Sequence, residues 1–413
     1  MKRRYTIAAL VTASVALVCA GAVSATTADM RSASVHRFVF GPATWQGANK
    51  SPIKVGLSIS ETGPSAATGM YQLRGYQLYV SQLNRRGGWL GRPVQLVVYD
   101  DQSNPGTAVL LYEKLISQDH VDLLVGPYSS GITQAALAIP EKYHMVMLDP
   151  GAAASNIYAG VQWNFQAIEK ADRYLLPIAD ICRGHGWTKL GIFVNNTSPF
   201  TLAAANALKE RAAARHLQVV FVQGYPGTTS DFSSTVLAAK SEGAECIAAA
   251  TNTPDSIGLV REINRQGLKP KLLAETIGVV ERTFLTSLGS LADGVVGNTQ
   301  WWPTLKTPGN KQFVVGYEKL FSGAYPDYHS ALGYSALQVL DTAIRKVHSL
   351  DQTKLRDTIR RLSVPTVAGR FKVDENGLQV GFKTYMMQWQ KGHAWLVFPP
   401  KVAQRKIQLP YSG

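Results

Sequence analysis

Cysteine is scarce in this chain, with three residues in 413, and one of them, Cys19, falls in an N-terminal apolar stretch. The other two, Cys182 and Cys246, cannot build a disulfide-rich scaffold. In an oxidising compartment they allow a single bridge; otherwise they pack as small hydrophobes. The eight histidines show no metal-ligand spacing, and GxSxG, HExxH and the phosphate-binding GxxxxGK pattern are all missing. Nothing here supports a metal centre, a serine hydrolase or a nucleotide-driven enzyme, so no catalytic residue, metal or cofactor is expected. Asp100-Asp101 is an acidic pair, but neighbouring acids at a strand end more often hold a turn than move protons. Basic residues outnumber acidic ones by 42 to 28, a net charge of +14. They are scattered, with no arginine-rich tract and no aromatic–basic motif, which argues against a nucleic-acid partner.

Long apolar runs are equally rare. One extends from Ile7 to Val23 behind Lys2-Arg3-Arg4, and Val23-Ser24-Ala25 offers small residues at cleavage spacing. That pattern is a secretory signal peptide over residues 1–25, cut after Ala25. Val18 is a poor residue before a lipidated cysteine, so Cys19 is not read as a lipid anchor. No later run is long enough to span a bilayer. The mature protein is therefore expected to be exported and soluble.

What the chain does contain is alternation. Thr26–Lys50 has no clear period and reads as an N-terminal extension, with Phe38, Phe40 and Trp45 able to lie against a surface. From Ile53 onwards, apolar runs of strand length (Ile53–Ile59, Val94–Tyr99, Val121–Val125) alternate with stretches of helical periodicity (Gly69–Asn84, Thr107–Gln118). The plan restarts after Gln166, with strands expected at Leu190–Val194, Leu217–Val222, Cys246–Ala250 and Lys271–Ala274. Strands separated by helices of ten to fifteen residues imply parallel sheets covered on both faces. The fold class is therefore α/β, in two similar lobes visited in alternation. Two such lobes suggest a hinged clamp.

The most informative stretch is Val121–Ser155. Gly126-Pro127 breaks its first strand, and Ser129 or Ser130 can cap a helix whose apolar positions run to Pro140 and Tyr143. Serine hydroxyls beside unpaired helix N–H groups suit a carboxylate. The second run, Met145–Leu148, ends at Asp149-Pro150-Gly151 and small residues, where a ligand can approach the backbone. In open α/β sheets ligands sit outside the carboxyl ends of strands. A serine in such a place also caps helices in proteins with no ligand, and both readings stand at this point.

Ordered segments then carry a resemblance. IKVGLSISETGPSAATGMYQLRG, LNRRGGWLGRPVQLVVYDDQSNP, VDLLVGPYSSGITQ, VMLDPGAAAS, DFSS at Asp231–Ser234, GLKPKLLAE at Gly267–Glu275 and the closing GRFKVDENG…MMQWQKG…VFPP follow one another in family order. From about Ile53 to Lys401 the chain resembles the periplasmic branched-chain amino-acid-binding proteins of ABC importers, with the type I solute-binding fold. The resemblance implies a first lobe of residues 52–171 and 299–384. It implies a second lobe of 172–298 and 385–413, and three crossovers near Ala171, Asn298 and Thr384. It also implies capture of an amino acid or a related small carboxylate or amide between the lobes by a monomer in the periplasm, which a permease in the inner membrane then recognises. A sensor coupled to a membrane receptor uses the same fold.

Within that family the ligand carboxylate meets a serine that matches Ser130, with Ser129 and Tyr128 in the same loop, and backbone groups that match Gly151 and Ala152. The family's threonine falls at Ala153, so one polar contact is lost. The acid that answers the ammonium group matches Glu275, whose alternative is a place on the rim. Tyrosines of the family pocket fall near Thr68, near Pro199-Phe200 and near Asn252-Thr253, leaving Phe200 as a candidate apolar wall. Trp301-Trp302 fits hinge packing as well as ligand stacking. These departures keep the clamp and leave its cargo open.

Overall fold

The computed structural model describes residues 35–39 and 50–412. The expected signal peptide lies outside them. A first sheet is built from β1 (Val35–Val39), β2 (Ile53–Ile59), β3 (Val94–Asp100), β4 (Leu123–Val125), β5 (Met147–Asp149) and β6 (Asn164–Gln166) in the spatial order β1-β3-β2-β4-β5-β6. β2 through β6 run parallel. Their near-continuous apolar runs are what a sheet buried on both faces requires. Helices α1 (Ala66–Arg85), α2 (Pro105–Ser117), α3 (Ser130–Ala136) and α4 (Ala138–Lys142) make its crossovers.

Two expectations change here. The segment read as an N-terminal extension without a clear period contributes β1, an edge strand antiparallel to β3, with Val35 opposite Tyr99 and Val39 opposite Gln95. VHRFV has no clean period-two pattern, so it becomes a strand only because β3 offers it a ladder. The single helix expected after Ser130 is also two, broken at Leu137. Pro140 cannot donate to the carbonyl of Ala136, and its ring would crowd that group.

The chain leaves the first sheet after β6 and enters α5 (Leu176–Gly184). A second sheet follows with β7 (Lys189–Asn195), β8 (Gln218–Tyr225), β9 (Cys246–Ala250), β10 (Leu272–Glu275) and β11 (Val296–Thr299), again parallel. Helices α6 (Pro199–Ala214), α7 (Ser233–Lys240), α8 (Thr253–Arg265) and α9 (Arg282–Leu288) connect these strands. The chain then supplies α10 (Asn310–Leu320), α11 (Tyr328–Val347) and α12 (Gln352–Arg361), followed by a small hairpin of β12 (Ser363–Thr366) and β13 (Gly369–Lys372). Finally β14 (Tyr385–Gln390) and β15 (His393–Phe398) complete the second sheet, in the order β15-β14-β11-β10-β9-β7-β8.

Helix α11 packs on α1 so closely that a Cβ on Gly75 would stand 2.1 Å from the Ser330 carbonyl oxygen, which only glycine tolerates. This contact seats the later helices on the first sheet. A disulfide joins Cys182 of α5 to Cys246 of β9, so the oxidised alternative holds. Among the described residues no helix is long and apolar enough to cross a membrane.

Both sheets have the same functional topology. In the first, β2 lies between β3 and β4; in the second, β7 lies between β8 and β9. Connections from the central strand and its neighbour therefore diverge to opposite sides and leave a crevice at the carboxyl ends of the strands. The loops after β2 and β4 face the loops after β7 and β9. One apolar core cluster runs across this junction, holding Tyr128 and Leu148 together with Phe200 and Ile277.

Candidate functional site

The facing loops enclose two adjoining chambers. The inner one, a tight cavity of about 20 Å3, has aromatic and aliphatic walls from Tyr128, Ile168, Tyr174, Phe200, Ile277 and Tyr328. Its polar lining comes from Ser129, Ser130, Ser198, Asn252 and His329, with Gly151 and Ala153 at the backbone side. Among the described residues no carboxylate lines it. The outer chamber is a larger cavity of about 190 Å3 with a mixed lining. Thr68, Ser129, Asn195, Ser198, Thr253 and Asp255 lie on its wall. Tyr128, Ser129, Ser198 and Asn252 border both chambers, which makes them one continuous cleft.

The serine loop is organised by backbone needs. Ser129 is the N-cap of α3, yet its hydroxyl makes no capping bond, and the Ser129 carbonyl takes the Thr133 N–H at 2.8 Å. The Ser130 hydroxyl accepts the Ala154 N–H at 3.2 Å and so ties the loop after β4 to the loop after β5. Accepting there, it keeps its own proton to donate. With α3 only seven residues long, what this loop could offer an anion is its hydroxyls and not a long helix dipole. The two loops touch at Gly151, where a Cβ would meet the Pro127 carbonyl oxygen at 2.0 Å. Beneath them the buried Asp149 holds the Gly151 N–H at 2.8 Å and the Tyr158 hydroxyl at 3.0 Å. Burial pushes its carboxyl up to about 6 despite those bonds.

Of the residues singled out from the sequence, Tyr128, Ser129, Ser130, Gly151, Ala153, Phe200 and Asn252 line the inner chamber, and Thr68 and Thr253 the outer one. Ala152 is not on either wall. It is fully buried, and its carbonyl accepts from Gln166. Glu275 is not among the residues that line either chamber. At the carboxyl end of β10 it is 0% exposed and takes the Ser256 hydroxyl of α8, while its other oxygen has no partner among the described residues. Burial drives its carboxyl well above the usual range, the Ser256 bond works against it, and Asp255 adds repulsion. Sequence position matched the acid; the packing of α8 over β10 turned its side chain into the lobe.

Two other acids stand closer. Asp255 borders the outer chamber, with one oxygen held by Asn195 at 3.0 Å and the Tyr225 hydroxyl at 2.9 Å, and the other unpartnered among the described residues. Burial lifts it to about 6. Glu281, 1% exposed, accepts the Thr68 hydroxyl at 2.6 Å and the Thr253 hydroxyl at 3.0 Å.

Sequence reasoning missed Ile168, Tyr174, Ser198, Ile277, Tyr328 and His329. His329 is 1% exposed, its Nδ1 lies 2.8 Å from Asp327 Oδ2, and its ring meets Tyr128 edge-on at 5.4 Å and Tyr328 at 3.8 Å. Asp327 and Ser330 form a reciprocal capping box at the start of α11. That D-x-x-S pattern is visible in the sequence and marks where a helix end arrives at the cleft, though not that it lines it. Tyr174 follows the first crossover, with Gln300 from the second donating to its hydroxyl and its ring edge-on to Phe200 at 5.1 Å. Trp301 donates to Asn310 at 2.6 Å and packs on Phe313, away from both chambers. Among the described residues no cluster of His, Cys, Asp or Glu could hold a metal ion.

A family model described as periplasmic binding protein matches residues 52–394. The chain is similar to a Leu/Ile/Val-binding protein homolog 7 of Brucella melitensis, 27% identical over 387 residues that cover 87% of this chain and 94% of the relative. It superposes with a TM-score of 0.77 on the branched-chain amino acid transporter substrate binding protein LivJ of Streptococcus pneumoniae, solved with isoleucine. That match is 21% identical and covers 84% of this chain and 100% of the other. An ABC-transporter solute binding protein of R. palustris, solved with benzoate, gives 0.76 at 21% identity, with 84% and 95% covered. At such identity these solved structures speak to the fold.

Proposed function

The chain belongs to the periplasmic binding protein family, and on that premise we propose that it is the non-catalytic solute-binding component of an ABC importer. Residues 1–25 direct it to the periplasm. Its two lobes, 52–171 with 299–384 and 172–298 with 385–413, close on a small carboxylate-bearing solute, and the closed form delivers that solute to an inner-membrane permease. Ser129 and Ser130 give hydroxyl protons to the carboxylate. Tyr128, Tyr174, Phe200 and Tyr328 surround the solute's body and exclude water.

One observation carries the ligand class: among the described residues the inner chamber offers hydroxyls, an amide and an imidazole but no carboxylate. An ammonium group there would be buried without a counter-charge, at a cost of several kcal/mol. An acid without an ammonium group fits, and the aromatic walls favour an aromatic one through offset or edge contacts. A free amino acid is the second reading, favoured by the Asp255 carboxyl on the adjoining chamber wall. Thermal unfolding of refolded protein with benzoate, 4-hydroxybenzoate, leucine, isoleucine or valine separates them. A ligand at a hundred times its dissociation constant adds about 2.7 kcal/mol. A shift with the benzoates alone supports the first reading, and a shift with the aliphatic amino acids alone replaces it by the second.

A further inference from the structure

Thr68 belongs to α1 on the first sheet and Glu281 to the turn before α9 on the second. Their hydrogen bond, 2.6 Å long, bridges 213 positions of sequence. The same carboxylate oxygen accepts Thr253 at 3.0 Å, and the two threonine hydroxyls stand 3.4 Å apart. The second oxygen accepts Thr283 at 3.2 Å, a local bond that anchors the side chain whatever the lobes do. Thr68 and Thr253 border the outer chamber, while His329 and Tyr128, from the inner chamber, both interact electrostatically with Glu281. The acid therefore sits where the two halves meet beside the cleft.

We infer that Glu281 is the positioning residue of lobe closure, a clasp that accepts Thr68 only when the cleft is shut and so makes closure respond to pH. The clasp rests on the reading of the protein as a two-lobed solute trap, though not on which solute it takes. Thr68 and Glu281 have no covalent neighbourhood in common, so opening the lobes breaks their bond and returns the carboxylate to water. In the shut cleft, burial raises the Glu281 carboxyl; its bonds from Thr68 and Thr253 and the facing His329 pull it down, and Asp327 pushes it up. Tyr71 of α1, Tyr128 and Tyr328 also face it, and the neighbouring Arg282 is exposed.

The sign follows from linkage. A carboxyl whose value is higher in the shut form than in the open one takes up a proton on closing. Closure is then favoured below the ordinary glutamate range and loses that support as pH rises through the raised value. A protonated Glu281 still accepts from Thr68, so the bond survives while the buried charge does not.

Small-angle X-ray scattering of the protein without added solute, from about pH 5 to about pH 8, tests this directly. Wild type should become more compact as pH falls. Glu281→Gln keeps the acceptor and removes the charge, and should stay compact across the range. Thr68→Val should be more open at low pH than wild type, with the closed-to-open ratio down about tenfold, the weight of one such bond. A pH profile of Glu281→Gln identical to wild type, or closure of Thr68→Val equal to wild type, would overturn the clasp. Circular dichroism of both variants confirms that they fold. Failure of every solute to bind would remove the proposed ligand class and leave this result untouched.

Discussion

Replacing Glu275 by glutamine asks whether this acid serves the solute or the interior of its lobe. Its carboxyl is held far above the ordinary range by burial, so at neutral pH the charged form costs stability that an amide of the same shape does not. Glu275→Gln should raise the melting temperature at pH 7 and leave solute affinity unchanged in calorimetric titration; a loss of affinity would return Glu275 to the site. Ser130→Ala should act the other way. It removes one hydrogen bond to the Ala154 N–H, worth about 1 kcal/mol of stability, and a donor to the carboxylate, so affinity should fall about tenfold in a protein that still folds. Ser130, Phe200 and Thr68 were legible because their loops follow recognisable strands. His329 and Tyr328 were not, because a helix start far along the chain carries no mark of the strand ends it will face. For Glu275 the bond from Ser256 was not legible, because position along a strand says nothing about which neighbouring helix claims the side chain.

Elements hold these residues through contacts that leave little slack. Gly151→Ala would drive a Cβ to 2.0 Å from the Pro127 carbonyl oxygen, and the loops after β4 and β5 would have to part. It should lower the melting temperature sharply and weaken solute binding together, which distinguishes it from Ser130→Ala. The Cys182–Cys246 bridge closes a separation of 64 residues between α5 and β9. On the loop-entropy estimate that constraint contributes about 4 kcal/mol. Replacing both cysteines by alanine should therefore lower the denaturation midpoint by that order and leave the solute affinity as it is, since neither residue lines a chamber. The strands of both sheets were legible from their apolar runs. β1 was not, because an edge strand that borrows its ladder needs no pattern of its own, and the break at Leu137 was hidden by an apolar period that continues past it.

The whole molecule carries several buried acids, and their balance sets its pH response. Burial lifts Asp101, Asp149 and Asp255 to about 6 and Glu169 to about 7. Each binds a proton more readily folded than unfolded, so stability is greatest below this range and declines as pH rises through 6 to 7. Glu245 works oppositely. Its bond to Lys271 and the Thr188 N–H lower it to about 2, so its support is lost as pH falls below the ordinary glutamate range. Calorimetry should find the highest melting temperature near about pH 4, where the unfolded carboxyls titrate, with a lower value at pH 8. A rise toward pH 8 would mean that these acids are hydrated in solution. The account as a whole stands on the claim that solute is held where the two chambers join. Ser198, at the start of α6, borders both chambers and its hydroxyl makes no capping bond. The decisive measurement is the thermal shift of Ser198→Trp with whichever carboxylate stabilises wild type most. The account predicts an unchanged melting temperature without solute and no shift with it; a shift equal to wild type would mean that the solute binds elsewhere.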